Sequence, residues 1–168
     1  MKQLTGIIKL GLISAIIFFL LITAISLFIP SRVRISRATN IHASPDAILG
    51  RIGDFNTWSE WNPFLQRSDS ASVEIFEEGN AMKYGKTIIR WKSKKQDEYI
   101  AEMVSGNSRP VNSVWRTINY ETSDSTTLQW YMDFNLRWYP WEKFSSLMLE
   151  KSYGPSMEKG LERLSSLP

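Results

Sequence analysis

The sequence contains no cysteine and only one histidine, and these shortages exclude several kinds of chemistry. Without cysteine there are no disulfides and no thiolate nucleophile. A zinc site needs a set of His, Cys or carboxylate ligands, and His42 is the only imidazole available. The same shortage argues against a Ser–His–acid triad, and no glycine-rich phosphate loop or dinucleotide fingerprint is present. We therefore assign no catalytic residue, no metal site and no cofactor from the sequence.

Positive charge is concentrated near the N-terminus. The chain carries a formal net charge of +3, but five of its 20 basic residues flank an apolar run: Lys2, Lys9, Arg32, Arg34 and Arg37. Beyond residue 37, 15 basic residues face 17 acidic ones, which leaves this part slightly acidic. Nucleic-acid binding requires a net basic face, so nucleic acid is not expected as a partner.

The apolar run extends from Leu10 to Ile29 without a charged residue. Twenty helical residues span about 30 Å, the thickness of a bilayer core. Pro30 then ends the helix. We predict a tail over 1–9, a transmembrane helix over 10–30 and one folded domain over 31–168, held at the cell membrane by a single pass. Because basic residues flank both ends of the run, the positive-inside rule favours neither side for the domain.

A cleaved signal peptide is the alternative interpretation of this run. Signal sequences have apolar cores of about 7–15 residues that end at a small-x-small cleavage site. This run is longer, and the segment from Phe28 to Arg32 is a poor cleavage sequence. The weak site Ala24-Ile25-Ser26 lies inside the run. The pattern therefore favours a retained anchor over a removed signal.

The rest of the chain has the pattern of an α+β domain. Ser44 and Pro45 predict a helix start and Gly53 its end. Six segments have the alternation or turn spacing of strands in an antiparallel sheet: Val33–Ala43, Ser72–Phe76, Met82–Trp91, Glu98–Val104, Val111–Tyr120 and Thr126–Leu136. From Trp141 the apolar spacing becomes helical, and Gly154-Pro155 predicts a kink in this last helix.

Large apolar side chains suggest where a cavity lies. Alternation in the last strand places three of them on its inner face, and we expect three on the C-terminal helix to face them. Three more surround Asn62-Pro63, as core plugs, as the rim of a ligand entrance or as membrane-interface anchors. The candidate lining is therefore Trp58, Trp61, Phe64, Trp130, Met132, Phe134, Phe144, Leu147 and Met148.

Three segments in this order resemble the START-like, or Bet v 1-like, superfamily, on its polyketide cyclase/dehydrase and lipid-transport branch. They are Ser36–Asp46, with its Ala-x-Pro-acidic helix start, the W-x-x-W-x-P segment Trp58–Phe64, and Gly154–Leu164, with its G-x-x-x-x-x-G-L-x-x-L pattern. The resemblance, which extends to bacterial members with one N-terminal membrane helix, implies a helix-grip fold. In that fold a curved antiparallel sheet wraps a long C-terminal helix around an apolar cavity.

The resemblance and the anchor together favour a membrane-tethered, non-catalytic domain that binds a lipid or another hydrophobic small molecule. Two alternatives stay open. One is a cyclase- or dehydratase-type enzyme acting on an apolar substrate, which requires a titratable group inside the cavity. The other is a domain with a collapsed cavity that binds a protein partner of unknown identity through Trp58–Phe64. The expected partners are thus the membrane and a hydrophobic ligand.

Overall fold

A computed structural model describes residues 2–66, 73–119 and 125–167. The chain begins with a long helix and continues as strand, short helices, six strands and a C-terminal helical region. The elements are α1 (Lys2–Ser26), β1 (Arg32–Ile41), α2 (Pro45–Gly53), α3 (Trp58–Trp61), α4 (Pro63–Gln66), β2 (Val73–Phe76), β3 (Ala81–Tyr84), β4 (Thr87–Lys94), β5 (Glu98–Ser105), β6 (Val111–Asn119), β7 (Thr126–Asn135), α5 (Pro140–Ser145) and α6 (Leu149–Ser166). A 3-10 turn, Ser146–Met148, joins α5 to α6.

The seven strands form one antiparallel sheet in the order β1-β7-β6-β5-β4-β3-β2. The C-terminal helix α6 packs against β1, β7, α3 and α4. The expected α+β class and helix-grip fold are therefore confirmed. Strand pairing also fixes which strand ends lie together, because each β-partner sits directly across the ladder.

One end of the sheet lies next to α1, and we call it the anchor end. Arg32, the first residue of β1, pairs with Asn135 at the end of β7. The same end of the sheet is formed in β7, β6 and β5 by the pairs Asp133–Asn112 and Val111–Met103. In β5, β4, β3 and β2 it is formed by the pairs Ser105–Thr87, Thr87–Tyr84 and Tyr84–Val73. The N-terminal part of α6 also lies at this end, since its C-terminal Leu164 lies beside Ile41 at the far end of β1.

Helix α2 has the predicted boundaries for the predicted reasons. Ser44 caps it by accepting a hydrogen bond from the Ala47 amide at 3.3 Å, and Pro45 occupies its first turn. Ile48, Leu49 and Ile52 form its buried face. This helix covers the end of the sheet away from α1.

The predicted strand Met82–Trp91 is wrong as a single element. The chain reverses at Gly85, whose φ of +56° suits a residue without a Cβ, and this turn separates β3 from β4. The other predicted strands form with small shifts at their ends. Ser72 and Tyr120, at the ends of two predicted strands, lie outside the described residues.

The C-terminal helix also differs from its prediction. Helix α6 continues through Pro155, and the irregular turn lies earlier, at Ser146–Met148. Gly154 and Gly160, the two glycines of the sequence motif, allow α6 to approach neighbouring side chains closely. A Cβ on Gly154 would lie 2.5 Å from Arg37 Nη2, and a Cβ on Gly160 would lie 2.8 Å from Trp130 Cζ3. The Arg37 side chain is flexible and can shift, so the steric demand for glycine is strongest at Gly160, where α6 meets the core.

The N-terminal helix begins earlier than the predicted span and ends at Ser26, four residues before Pro30. Its last turn is closed by the Ser26 hydroxyl, which donates to the Thr23 carbonyl at 2.8 Å. Residues 6–26 are long and apolar enough to cross a membrane, and α1 buries almost none of its apolar surface in the protein. A signal sequence would satisfy the same criteria of length and composition.

Candidate functional site

Five of the seven tryptophans form one cluster in the middle of the inner sheet face. Trp115 and Trp130 stack with ring centroids 5.4 Å apart, and Trp58 and Trp61 meet edge to face at 5.3 Å. Trp91 completes the group through a T-shaped contact with Trp115. Four of the five are buried at 1% exposure or less. These rings fill the space that a larger cavity would need.

Two indoles of the cluster have conventional hydrogen-bond partners. Trp58 Nε1 donates to the Ile52 carbonyl at 2.6 Å, and Trp130 Nε1 donates to the Ser113 hydroxyl at 2.7 Å. The indole nitrogens of Trp61, Trp91 and Trp115 are buried without such a partner. Each of these rings has edge-to-face neighbours, and an aromatic face is a weak acceptor for an N–H group. The two bonded indoles fix the cluster to α2 and β6.

A pocket of about 230 Å³ remains between the cluster and the anchor end of the sheet. It lies below the range of about 300–1,000 Å³ typical of sites that enclose a drug-sized ligand. Six of its lining residues are apolar and come from α4 and the inner sheet face: Phe64, Leu65, Ile89, Met103, Val111 and Met132. The predicted hollow therefore exists in reduced form, displaced from the centre of the sheet toward the end that adjoins α1.

Polar groups line this pocket both in its buried interior and at its solvent-exposed rim. Asn62 is buried at 1% exposure, and its side-chain oxygen accepts a hydrogen bond from the Phe64 amide at 3.0 Å. Thr87, Ser105, Ser108 and Arg109 form an exposed or half-exposed polar rim. The interior suits an alkyl or aryl group, and the rim suits a polar or anionic head.

Titratable groups are few in the pocket. Among the described residues that line it they are Tyr84, Tyr153 and Arg109, with no carboxylate and no histidine. His42 is exposed at the opposite end of the sheet, in a separate depression of about 240 Å³ beside α2. Proton transfer inside the pocket would therefore depend on a tyrosine hydroxyl.

The nine candidate residues separate into three groups. Phe64 and Met132 line the pocket. Trp58, Trp61, Trp130 and Phe134 are buried outside it, in the cluster or, for Phe134, against Tyr153 at a centroid distance of 5.0 Å. The remaining three are exposed: Phe144, Leu147 and Met148.

One expectation about these residues is wrong, and among the open alternatives for Trp58 and Trp61 their burial agrees with core plugs. Phe144, Leu147 and Met148 do not face the sheet, because the turn at Ser146–Met148 rotates this segment out of the stripe that α6 buries. Trp58 and Trp61 are 0% exposed, so neither is a membrane-interface anchor or a surface for a protein partner. The alternative of a partner-binding surface over Trp58–Phe64 loses its two largest side chains.

Several lining residues were absent from the sequence prediction. Tyr153, Met103 and Val111 line the pocket because strand ends and the start of α6 converge at the anchor end. The alternation in β5 and β6 could have placed Met103 and Val111 on the inner face. No local signal marks Asn62, which owes its burial to the packing of α3 and α4 on α6.

The outer sheet face carries paired charges. Arg34 and Asp133 form a bidentate ion pair at 2.6 and 2.8 Å, and the Arg34 guanidinium lies over the Tyr131 ring. Burial raises the pKa of the Tyr131 phenol, and the nearby Glu98 carboxylate adds to that rise. Asp133 therefore stabilises the outer face and does not enter the pocket.

A curved sheet that wraps a C-terminal helix, with an apolar pocket and a polar rim between them, defines a helix-grip protein. Residues 32–167 match the family model described as polyketide cyclase / dehydrase and lipid transport. The chain belongs to this family. A comparison with functionally curated proteins gives no match.

Solved structures share the fold at low identity. The aromatase/cyclase Zhui from Streptomyces sp. R1128 is 16% identical, with a TM-score of 0.59 over 79% of this chain and 91% of that one. Truncated norcoclaurine synthase from Thalictrum flavum is 13% identical, with a TM-score of 0.58 over 80% and 91%. A protein from Nitrosospira multiformis is 14% identical, with a TM-score of 0.60 over 80% and 94%. At these identities the likeness is one of fold.

Proposed function

We propose that this protein is a single-pass, membrane-tethered binding domain for a single-chain amphiphile, and that it has no catalytic role. The ligand places an apolar tail in the pocket and its polar head at the rim. The observation that carries the proposal is the position of the pocket, which opens at the anchor end of the sheet. The pocket therefore opens at the end of the domain that adjoins α1 and, with α1 in a bilayer, the membrane.

The size and lining of the pocket support this class of ligand. A volume of about 230 Å³ holds one end of a chain rather than a whole lipid with two tails. Arg109 at the rim is exposed and suits an anionic head such as a carboxylate. Tethering also raises the local concentration of membrane-derived ligands, so a weak site is occupied.

Photo-crosslinking tests the proposal on the full chain. The protein is reconstituted in vesicles that contain a palmitic-acid analogue with a diazirine at the end of its tail, and cross-linked residues are mapped by mass spectrometry. We expect adducts on Met103, Val111 or Met132. Adducts confined to α1 would show that the acid contacts only the anchor, and the proposal would fail.

A matched pair of variants separates pocket occupancy from general lipid contact. Ser108→Trp places a large ring at the exposed rim and should abolish the pocket adducts. Asn119→Trp adds the same ring at an exposed site at the far end of β6 and should leave them unchanged. The intact mass of the protein isolated from cell membranes tests retention of α1, since loss of residues up to the weak Ala24–Ser26 site would mark it as a signal sequence.

A cyclase or dehydratase activity is the second candidate, supported by the family description and by the hydroxyls of Tyr84 and Tyr153 in the pocket. A tyrosine can donate a proton to a reacting oxygen. Conversion of a bound aryl ketone by the wild type, lost on changing both tyrosines to phenylalanine, would favour this function over simple binding.

A further inference from the structure

The segment that contains α5 and the 3-10 turn buries polar side chains and exposes large apolar ones, which is unfavourable in water. Two of its polar residues, Lys143 and Ser146, are buried, at 3% and 5% exposure, while Glu142 is half-buried and Ser145 exposed. Its large apolar residues point outward, with Trp141 at 61%, Leu147 at 65% and Met148 at 57% exposure. A soluble helix shows the opposite arrangement.

The exposed side chains form one continuous stripe. Trp141, Phe144 and Met148 follow at intervals of three and four residues, which places them on one side of the helical segment. Trp138 extends the stripe at 59% exposure and contacts Tyr139, which stacks on Trp141 at 4.8 Å. We call this stripe the interfacial surface: Trp138, Trp141, Phe144, Leu147 and Met148.

The interfacial surface is fixed beside the end of the anchor helix. Helix α5 contacts α1. The buried Lys143 Nζ donates to the Ile29 carbonyl and to the Ser31 hydroxyl, both at 2.7 Å. Phe28 in the same junction is 90% exposed. The apolar outer surface of α1 therefore continues through Phe28 toward the stripe.

The composition of this region fits the headgroup layer of a bilayer. Tryptophan and tyrosine concentrate at membrane–water interfaces, where an apolar ring and a polar N–H or O–H group are both satisfied. Arg32 follows Ser31, whose hydroxyl accepts a hydrogen bond from Lys143, and Lys151 lies about one helical turn after Met148. Both are exposed, and neither forms a salt bridge within the described parts of the chain. Such a basic fringe complements anionic headgroups.

We infer that the interfacial surface inserts into the headgroup region of the membrane that holds α1. This contact gives the domain a fixed orientation, with the anchor end of the sheet and the pocket rim turned toward the lipid. The inference rests on the proposed function in one respect, since α1 must stay in the bilayer. It goes beyond tethering, because a tether alone leaves the domain free to rotate.

Spin labelling tests the orientation on the full chain in vesicles of phosphatidylcholine and phosphatidylglycerol. Because the chain has no cysteine, Leu147→Cys and Ile118→Cys each carry one label. Ile118 is an exposed apolar residue at the far end of β6 and serves as the matched control. An intact mass of the labelled protein ensures that α1 is present in the sample.

We expect the label at 147 to lose most of its collisions with an aqueous nickel chelate and to keep frequent collisions with oxygen, which is enriched in lipid. The label at 118 should collide freely with nickel. Nickel access at 147 equal to that at 118 would overturn the inference. So would low collision rates with both reagents, or spin–spin broadening between chains, since these show a protein partner or a second copy on the surface. Pocket adducts of the diazirine acid are scored separately, so either proposal can fail alone.

Discussion

The close approach of α6 to the tryptophan cluster leads to a quantitative prediction about Gly160→Ala. A Cβ at this position would lie 2.8 Å from Trp130 Cζ3 and 3.2 Å from Pro63 Cδ, both nearer than ordinary contact. Trp130 cannot move aside easily, because it stacks on Trp115 and its indole nitrogen bonds Ser113. Overpacking a core of this kind costs about 1–3 kcal/mol.

Replacing glycine by alanine also raises helix propensity, and this gain in stability opposes the steric cost. A second glycine, at an uncrowded helix position, measures that gain by itself. Gly50 lies inside α2, is exposed, and has no atom within 4 Å of a Cβ built on it. Gly50→Ala should stabilise the protein by up to about 1 kcal/mol. The two variants then differ by the steric penalty alone, about 1–3 kcal/mol, with Gly160→Ala the less stable.

Thermal unfolding of the full chain in detergent, followed by tryptophan fluorescence, measures this difference. For a protein of this size 1 kcal/mol shifts Tm by about 2–4 °C, so the two midpoints should differ by roughly 2–12 °C. Equal midpoints would refute the claim that α6 lies against Trp130. An equal fall in Tm for Gly50→Ala would show that the loss of stability in Gly160→Ala does not come from packing against Trp130.

Two further predictions concern the core and the outer face. In Trp130→Phe the buried Ser113 hydroxyl loses its donor, which should cost about 1–3 kcal/mol in urea unfolding. Ser113→Ala should then cost about 1 kcal/mol less in that background than in the wild type, and additive losses would contradict the hydrogen bond. Because the folded state raises the pKa of Tyr131, its contribution to stability is full below the ordinary value of about 10 and is lost as the pH rises above it. The fall in the urea midpoint above pH 10 should be smaller in Tyr131→Phe, and an absorbance titration near 295 nm (a phenolate band) should lose a component with a raised pKa.

The order of elements could be predicted from local signals. Ser44-Pro45 and Gly53 bound α2 because capping depends on neighbouring residues. Alternation placed Trp130, Met132 and Phe134 on the inner face of β7, and all three are buried there. The turn at Gly85 is marked in the sequence by one glycine and by a change of phase, since the inward residues Met82 and Tyr84 are even-numbered and Ile89 is odd-numbered. Which residues face inward is decided by strand pairing, so the change of phase is recognised only in the folded sheet.

The candidate site was predictable only in part. Phe64 and Met132 line the pocket, but Trp58, Trp61 and Trp130 fill space that the sequence left open. Whether large rings fill or border a cavity depends on the distance between sheet and helix. That distance is set by contacts such as Gly160 on Trp130, which join residues far apart in the chain.

The sequence by itself determined that a long apolar N-terminal helix precedes one helix-grip domain, since run length, caps and alternation are local properties of the chain. Tertiary structure decided where the remaining pocket lies and which end of the sheet it opens toward. It also decided that Trp141, Leu147 and Met148 face outward while Lys143 faces in. The reason is physical: periodicity defines the two faces of a helix, but only the elements packed against it determine which face is buried.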